Sequence, residues 1–184
     1  YAQGPLSPEV IDMTLGQLLE AAAQEVPDRI AMIFGHAEIE QRREWTYQKM
    51  YEDAGRVARA LATRFEPGER VAIWSQNTPE WVLVEFGAAM AGLVLVTVNP
   101  SYRPDELIYV LNQSKSSGIL IMPEYRGNRM LNMVKQVQSD CPMLREIIRF
   151  DEWDEFLNSA DDEVQLPRVN PLDPTMIQYT SGTT

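Results

Sequence analysis

Four short strand-like runs, Val71-Ala72-Ile73-Trp74 and residues 93–98, 118–122 and 146–150, are spaced along the chain with a helix-length stretch between each pair. The first is apolar at every position, so it has no face to give to water and reads as a strand covered on both sides. After it, Thr78-Pro79 supplies an N-cap and a proline at the first helical position, where a missing N–H costs nothing. That helix is expected to reach about Met90, with Gly92 as its stop. Pro104 opens another helix through Asn112, and residues 128–138 read as a third. Strands alternating with helices through short connections favour βαβ crossovers. The expected fold class is therefore α/β, a mainly parallel sheet with helices on both faces.

Ahead of this core, Thr14 followed three residues later by Gln17 is a capping-box pattern, and Leu15, Leu18, Leu19 and Ala22 continue it as an amphipathic helix. Pro27-Asp28 ends that helix. Residues 30–34 and a stretch before Trp45 read as two strands joined by a polar turn. Thr46 caps a second helix, in which Met50, Ala54, Val57, Leu61 and Phe65 recur at three- and four-residue steps, and Pro67-Gly68 ends it. Behind the core, Trp153, Phe156 and Leu157 suggest a short acidic helix. Residues 159–174 carry Pro167, Pro171 and Pro174 and read as an extended connector. Residues 175–179 then look like a strand running into Thr180-Ser181-Gly182-Thr183-Thr184. The division is a core over 14–150, an acidic helix and connector over 151–174, and a strand with the start of a loop over 175–184.

With 184 residues, 45% of them hydrophobic, the chain can form one globular unit with a real core. Sixteen Lys and Arg face 27 Asp and Glu, a net charge of -11, which argues against nucleic acid or anionic membrane as generic partners. It says little about a small ligand held by one loop. The one cysteine, Cys141, permits no intrachain disulfide and favours a reducing compartment such as the cytoplasm. Cys141 reads as a small residue after a helix, His36 as an ordinary surface residue in a turn, and no Cys/His spacing suggests a metal. The run Asp151, Glu152, Asp154, Glu155 reads as a solvated helix face without the spacing of a calcium loop. No apolar stretch reads as a transmembrane segment.

The Thr/Ser/Gly run has a physical use. Small residues let successive backbone N–H groups converge on an anion, hydroxyls add neutral donors, and a glycine accepts positive φ. In open parallel sheets ligands sit beyond the carboxyl ends of strands, and this run follows one. It is neither the lysine-bearing P-loop of nucleotidases nor a dinucleotide turn. Taken alone, six small polar residues also suit a solvent-exposed turn.

Tyr179-Thr180-Ser181-Gly182-Thr183-Thr184 resembles the first half of the phosphate-loop signature of the adenylate-forming superfamily. That group includes acyl-CoA synthetases, luciferases and peptide-synthetase adenylation domains. Asp173-Pro174 and Ile177-Gln178 match in spacing, as do Trp45-Thr46-Tyr47, residues 68–73 and Asn77-Thr78-Pro79-Glu80-Trp81. Residues 99–107, Asn-Pro-Ser-Tyr-Arg-Pro-Asp-Glu-Leu, are similar to fatty-acid and medium-chain acyl-CoA synthetases, and the Thr183-Thr184 pair leans the same way. The resemblance covers residues 14–184, and the chain, 1–184, is read as part of an N-terminal AMP-binding domain.

The resemblance implies that a fatty acid is activated with Mg-ATP to an acyl-adenylate and passed to CoA. ATP, Mg2+ and CoA would serve the whole protein, with none expected to bind this chain tightly. Thr180, Ser181, Gly182, Thr183 and Thr184 would hold the β- and γ-phosphates. No catalytic or metal-binding residue is expected within the chain. The signature would continue past Thr184 with glycine, a variable residue, proline, lysine and glycine. Segments holding adenine, ribose and Mg2+ would follow, then a mobile domain with a catalytic lysine, so the chain alone is expected to be inactive. A peripheral-membrane or organellar site for the whole protein stays open, as do oligomeric state and acyl chain length. Two other readings stand beside this one: part of an adenylation domain that loads a carrier protein, and a non-catalytic α/β interaction module. Asn77 to Trp81 reads as a cap and first turn, and Tyr102 and Arg103 carry no assignment.

Overall fold

The computed structural model describes residues 11–35, 42–160 and 163–180. Its helices are α1 (Leu15–Glu25), α2 (Tyr47–Ala62), α3 (Pro79–Met90), α4 (Pro104–Ser114), α5 (Met130–Val137) and α6 (Trp153–Asn158). Its strands are β1 (Ile30–Phe34), β2 (Arg43–Thr46), β3 (Arg70–Trp74), β4 (Val94–Val98), β5 (Ser116–Ile121), β6 (Glu124–Tyr125), β7 (Asn128–Arg129), β8 (Glu146–Arg149) and β9 (Met176–Gln178).

The caps read from the sequence form as expected. Thr14 Oγ1 accepts from Gln17 N at 3.1 Å while the Gln17 side chain accepts from Thr14 N at 2.9 Å. Thr46 caps α2 through Lys49 N. Thr78 caps α3 through Trp81 N, with Pro79 at the first helical position. Each pairs donors that the first turn of a helix would otherwise leave open.

The five-stranded sheet runs β8-β5-β3-β4-β9, with every neighbouring pair parallel. Strand alternation divides the apolar side chains between two cores. Val71, Ile73, Leu95, Leu120 and Ile148 pack with α1, α2, α3 and α6 on one face. Ala72, Trp74, Val96, Val98, Ile119 and Ile121 pack with α4 and α5 on the other. β1 and β2 form a separate antiparallel pair against α2. Burying side chains such as Ile73, Leu95 and Leu120 is worth about 1.5–3 kcal/mol each.

Two elements start two residues away from the sequence reading. β5 begins at Ser116 rather than Gly118. Lys115 takes a left-handed conformation (φ 56°) that turns α4 straight into the strand. The buried serines then satisfy one another and the backbone: Ser114 Oγ lies 2.7 Å from Ser116 Oγ, and Ser117 Oγ donates to Arg70 O. The third helix starts at Met130, because Asn128 and Arg129 pair with Tyr125 and Glu124 in a small hairpin. Its turn, Arg126-Gly127, has positive φ at both residues, as a tight hairpin turn demands.

Gly118 fixes the packing of the first core. A Cβ there would lie 2.3 Å from Phe65 Cζ, and Arg145 sits 5.2 Å above the same phenyl ring. Arg145 also grips both carboxylate oxygens of Glu69 at 2.7 Å. We expect Gly118→Ala to destabilise the fold by about 1–3 kcal/mol through overpacking, and Phe65→Leu in the same chain to recover part of the loss. Urea denaturation checks both. The Arg145 contact holds the Glu69 carboxyl at about 2, below its ordinary value of 4.5. This stabilisation is complete above the unfolded value and disappears as pH falls from about 4.5 through 2. Glu69→Gln should flatten that limb of an acid-unfolding curve.

Candidate functional site at the carboxyl edge of the sheet

β3, β4 and β9 end at one edge of the sheet, and their register is fixed by ladder pairs Ile73↔Thr97, Trp74↔Val98 and Thr97↔Gln178. β3 sends its following helix, α3, to the first core, whereas β4 and β5 send α4 and α5 to the second. Chains that diverge to opposite faces leave a crevice beyond the strand ends. An open cleft of about 490 Å³ lies there, lined by Phe34, Ser75, Gln76, Asn77, Pro100 and Tyr125.

Of the five expected phosphate-loop residues, Thr180 is placed by the structure. It is exposed, two residues beyond the end of β9. Continuing the ladder sets it level with Asn99, the residue after β4. Ser181, Gly182, Thr183 and Thr184 lie outside the described residues, as does His36. Tyr179 packs against the second core, its ring edge-on to Tyr109 with centroids 6.4 Å apart.

The loop after β4 is held from beneath. The indole of Trp74, 1% exposed, donates to Asn99 O at 2.8 Å, and Tyr102 N donates to the same carbonyl at 3.0 Å. Asn99 Oδ1 accepts from Ser101 N at 2.9 Å, which closes the turn. Sequence reasoning passed over Trp74 as core, although an indole at the last position of a buried strand needs an acceptor for its N–H. That requirement is the signal that would have found it.

The helix N-termini that follow β3 and β4 are already served. Glu80 lies in the first turn of α3, and Arg43 reaches it at 2.9 Å. On α4, Glu106 accepts from Arg103 N at 2.9 Å and Asp105 sits beside it. The matched segment Asn77 to Trp81 is thus a cap and first turn, with Asn77 on the wall of the cleft. Tyr102 packs on the second core, and Arg103 precedes α4 as its N-cap residue.

The remaining candidates stay structural. Cys141 is buried, and burial together with the Asp140 charge pushes its thiol up, away from the thiolate. Arg149 pairs with Asp151 and Glu152 at the start of the acidic helix. Among the described residues no group of three or more His, Cys, Asp or Glu is placed to hold a metal. Nor is any helix among them long and apolar enough to cross a membrane. Two larger concavities, of about 600 and 530 Å³, lie along the connector residues 166–174. The first is lined from α1, Tyr51 and the C-terminal end of α3, the second from the amino edge of the sheet, and neither includes Thr180.

Known proteins resemble this chain in sequence and in fold. The sequence profile of the AMP-binding enzyme family matches residues 19–184. The chain is 34% identical to a putative acyl-CoA synthetase, YngI, of Bacillus subtilis, over 96% of this chain and 36% of that protein. It is 29% identical to the mitochondrial medium-chain acyl-CoA ligase ACSF2 of Rattus norvegicus, over 100% of this chain and 34% of that protein. It superposes on a long-chain-fatty-acid-CoA ligase, FadD1, of Archaeoglobus fulgidus with a TM-score of 0.84 at 21% identity, over 100% of this chain and 37% of that one. The last is a likeness of fold. The chain spans about a third of the length of the curated relatives it matches.

Trp74→Phe removes the indole donor and leaves a void in a fully buried site. We expect a loss of about 1.5–3 kcal/mol, read as a lower urea midpoint at unchanged slope.

Proposed function

The chain belongs to the AMP-binding enzyme family, and on that premise we propose that it is the N-terminal part of an ATP-dependent acyl-CoA ligase. The reaction is activation of a fatty acid as its acyl-adenylate, followed by transfer of the acyl group to CoA. The observation that most supports this is the placement of β9. It is a parallel strand paired with β4, and it brings Thr180 to the carboxyl edge of the sheet with Ser181, Gly182, Thr183 and Thr184 next in sequence.

In this reading a carboxylate oxygen attacks the α-phosphorus of ATP, and pyrophosphate leaves with the electron pair of the bond it breaks. The thiolate of CoA then attacks the acyl carbonyl and AMP leaves. The hydroxyls of Thr180, Ser181, Thr183 and Thr184 donate to oxygens of the β- and γ-phosphates, and Gly182 lets the backbone approach them. Neutral donors fixed on a rigid sheet hold the leaving group in line, which is positioning rather than covalent help. Mg2+ would neutralise phosphate charge as ATP binds. The described residues offer it no cluster of three or more His, Cys, Asp or Glu.

The test is carboxylate-dependent ATP–pyrophosphate exchange, with the whole protein and with the 184-residue chain, across short, medium and long fatty acids and aromatic acids. We expect exchange with the whole protein only. Thr183→Ala and Thr184→Ala should each lower kcat/KM for ATP by about a hundredfold. Supplying CoA or a carrier protein as acceptor then identifies the thiol. Absence of exchange with every carboxylate would defeat the reading and leave an interaction module in its place.

A further inference from the structure

We propose that Tyr179 is a positioning residue for the loop it precedes, its ring seated on α4 so as to set where Thr180 and the following residues leave the sheet. The proposal rests on the nucleotide reading of that loop.

β9 is joined to the sheet by three ladder positions, Leu95↔Met176, Val96↔Ile177 and Thr97↔Gln178, and β4 is its one strand neighbour among the described residues. A strand paired over so few positions has little of its own to stop its end from fraying. Pairing finishes at Gln178, and the chain enters the Thr/Ser/Gly run two residues later. What holds that exit is the residue in between. Met176 faces the first core, while Ile177 and Tyr179 face the second, where both pack beside α4.

The ring does this work, and the hydroxyl does little of it. Tyr179 Oη lies 3.4 Å from Val110 O, and that carbonyl already accepts from Ser114 Oγ at 2.7 Å. A bond that long to a shared acceptor is weak. The aromatic contact is better made, with the Tyr109 and Tyr179 rings 73° apart in an edge-on pair. Burial of the phenol, and the neighbouring Tyr109 and Tyr102, push its ionisation up, in keeping with a ring laid into the core. Thr180, by contrast, is exposed. The transition from core to ligand side thus occurs across one peptide bond, and the aromatic side chain is the fixed point behind it. Because phosphate donors must sit within a fraction of an ångström of their places, loosening that point should be felt at the nucleotide before it is felt in the fold.

The test compares Tyr179→Phe with Tyr179→Leu in the whole protein that carries this chain, using initial rates, thermal unfolding and amide hydrogen exchange. Tyr179→Leu is expected to raise KM for ATP about tenfold and lower kcat. KM for the carboxylate should stay within about twofold and the unfolding midpoint within a few degrees. Amides 180–184 should exchange several-fold faster in Tyr179→Leu, while those of β4 and β9 keep their protection. Tyr179→Phe should match the parent protein in every readout. The proposal is overturned if Phe is as impaired as Leu, which would make the hydroxyl the anchor. It is overturned equally if Leu leaves KM for ATP and loop exchange unchanged, or if both KM values and the midpoint deteriorate together. If the unaltered protein shows no ATP–pyrophosphate exchange, the nucleotide reading fails separately, and amide exchange alone decides whether Tyr179 holds the loop.

Discussion

The double-sided burial of β3 is the constraint on which the rest of the structure depends. Val71 to Trp74 are all 1% exposed or less, and both neighbours, β4 and β5, pair with the whole strand in parallel. A slip of one residue would carry Trp74 from the α4–α5 side into the α2–α3 side and exchange every other side chain with it. No such slip is tolerable when both faces are already filled. Register at the centre then fixes register outwards, through β4 to β9, and so determines the level at which Thr180 emerges.

The electrostatics of the carboxyl edge follow from the same geometry. Helices that succeed parallel strands aim their N-termini at this edge, which would make it a general anion site. The ends that follow β3 and β4 are occupied by their own chain: Glu80 on α3, Asp105 and Glu106 on α4. With a net charge of -11, the molecule as a whole also repels anions. Under the proposed function a triphosphate would therefore depend on local N–H and hydroxyl groups. A short Thr/Ser/Gly run is suited to that task, because it concentrates donors without adding charge that the rest of the edge would have to balance.

Much of this was legible in the sequence, for identifiable reasons. Caps announce themselves locally, as Thr14, Thr46 and Thr78 do, and an all-apolar run such as Val71 to Trp74 declares a doubly covered strand. What was hidden depends on tertiary partners. Ser116 and Ser117 look like a loop until the contacts with Ser114 and Arg70 are seen, and Asn128-Arg129 look helical until Glu124-Tyr125 pair with them. Strand order was hidden as well. Nothing local says that the chain returns past three strands to place β9 beside β4. As for the proposed site, the run was singled out through family resemblance, whereas Trp74 under the Asn99 turn and Tyr179 ahead of Thr180 had the look of ordinary core.

The return of the chain to β9 turns on a glycine far from the run. Gly92 takes a φ of +69°, which ends α3 in the left-handed turn that only glycine adopts freely. Its carbonyl accepts from Gly68 N at 2.7 Å, tying the end of α3 to the turn ahead of β3. Its missing side chain has a second effect. A Cβ there would meet Pro167 Cγ at 3.3 Å and Pro67 Cβ at 3.4 Å, so the connector lies directly against the bare backbone. That connector leads to Thr175, whose carbonyl accepts from Leu95 N at 2.9 Å and begins the alignment of β9. Positive φ selects glycine at this position, and the close approach of the two prolines adds to the cost of any side chain. Gly92 thus helps to place β9 by a demand on the main chain that the Thr/Ser/Gly run does not reveal.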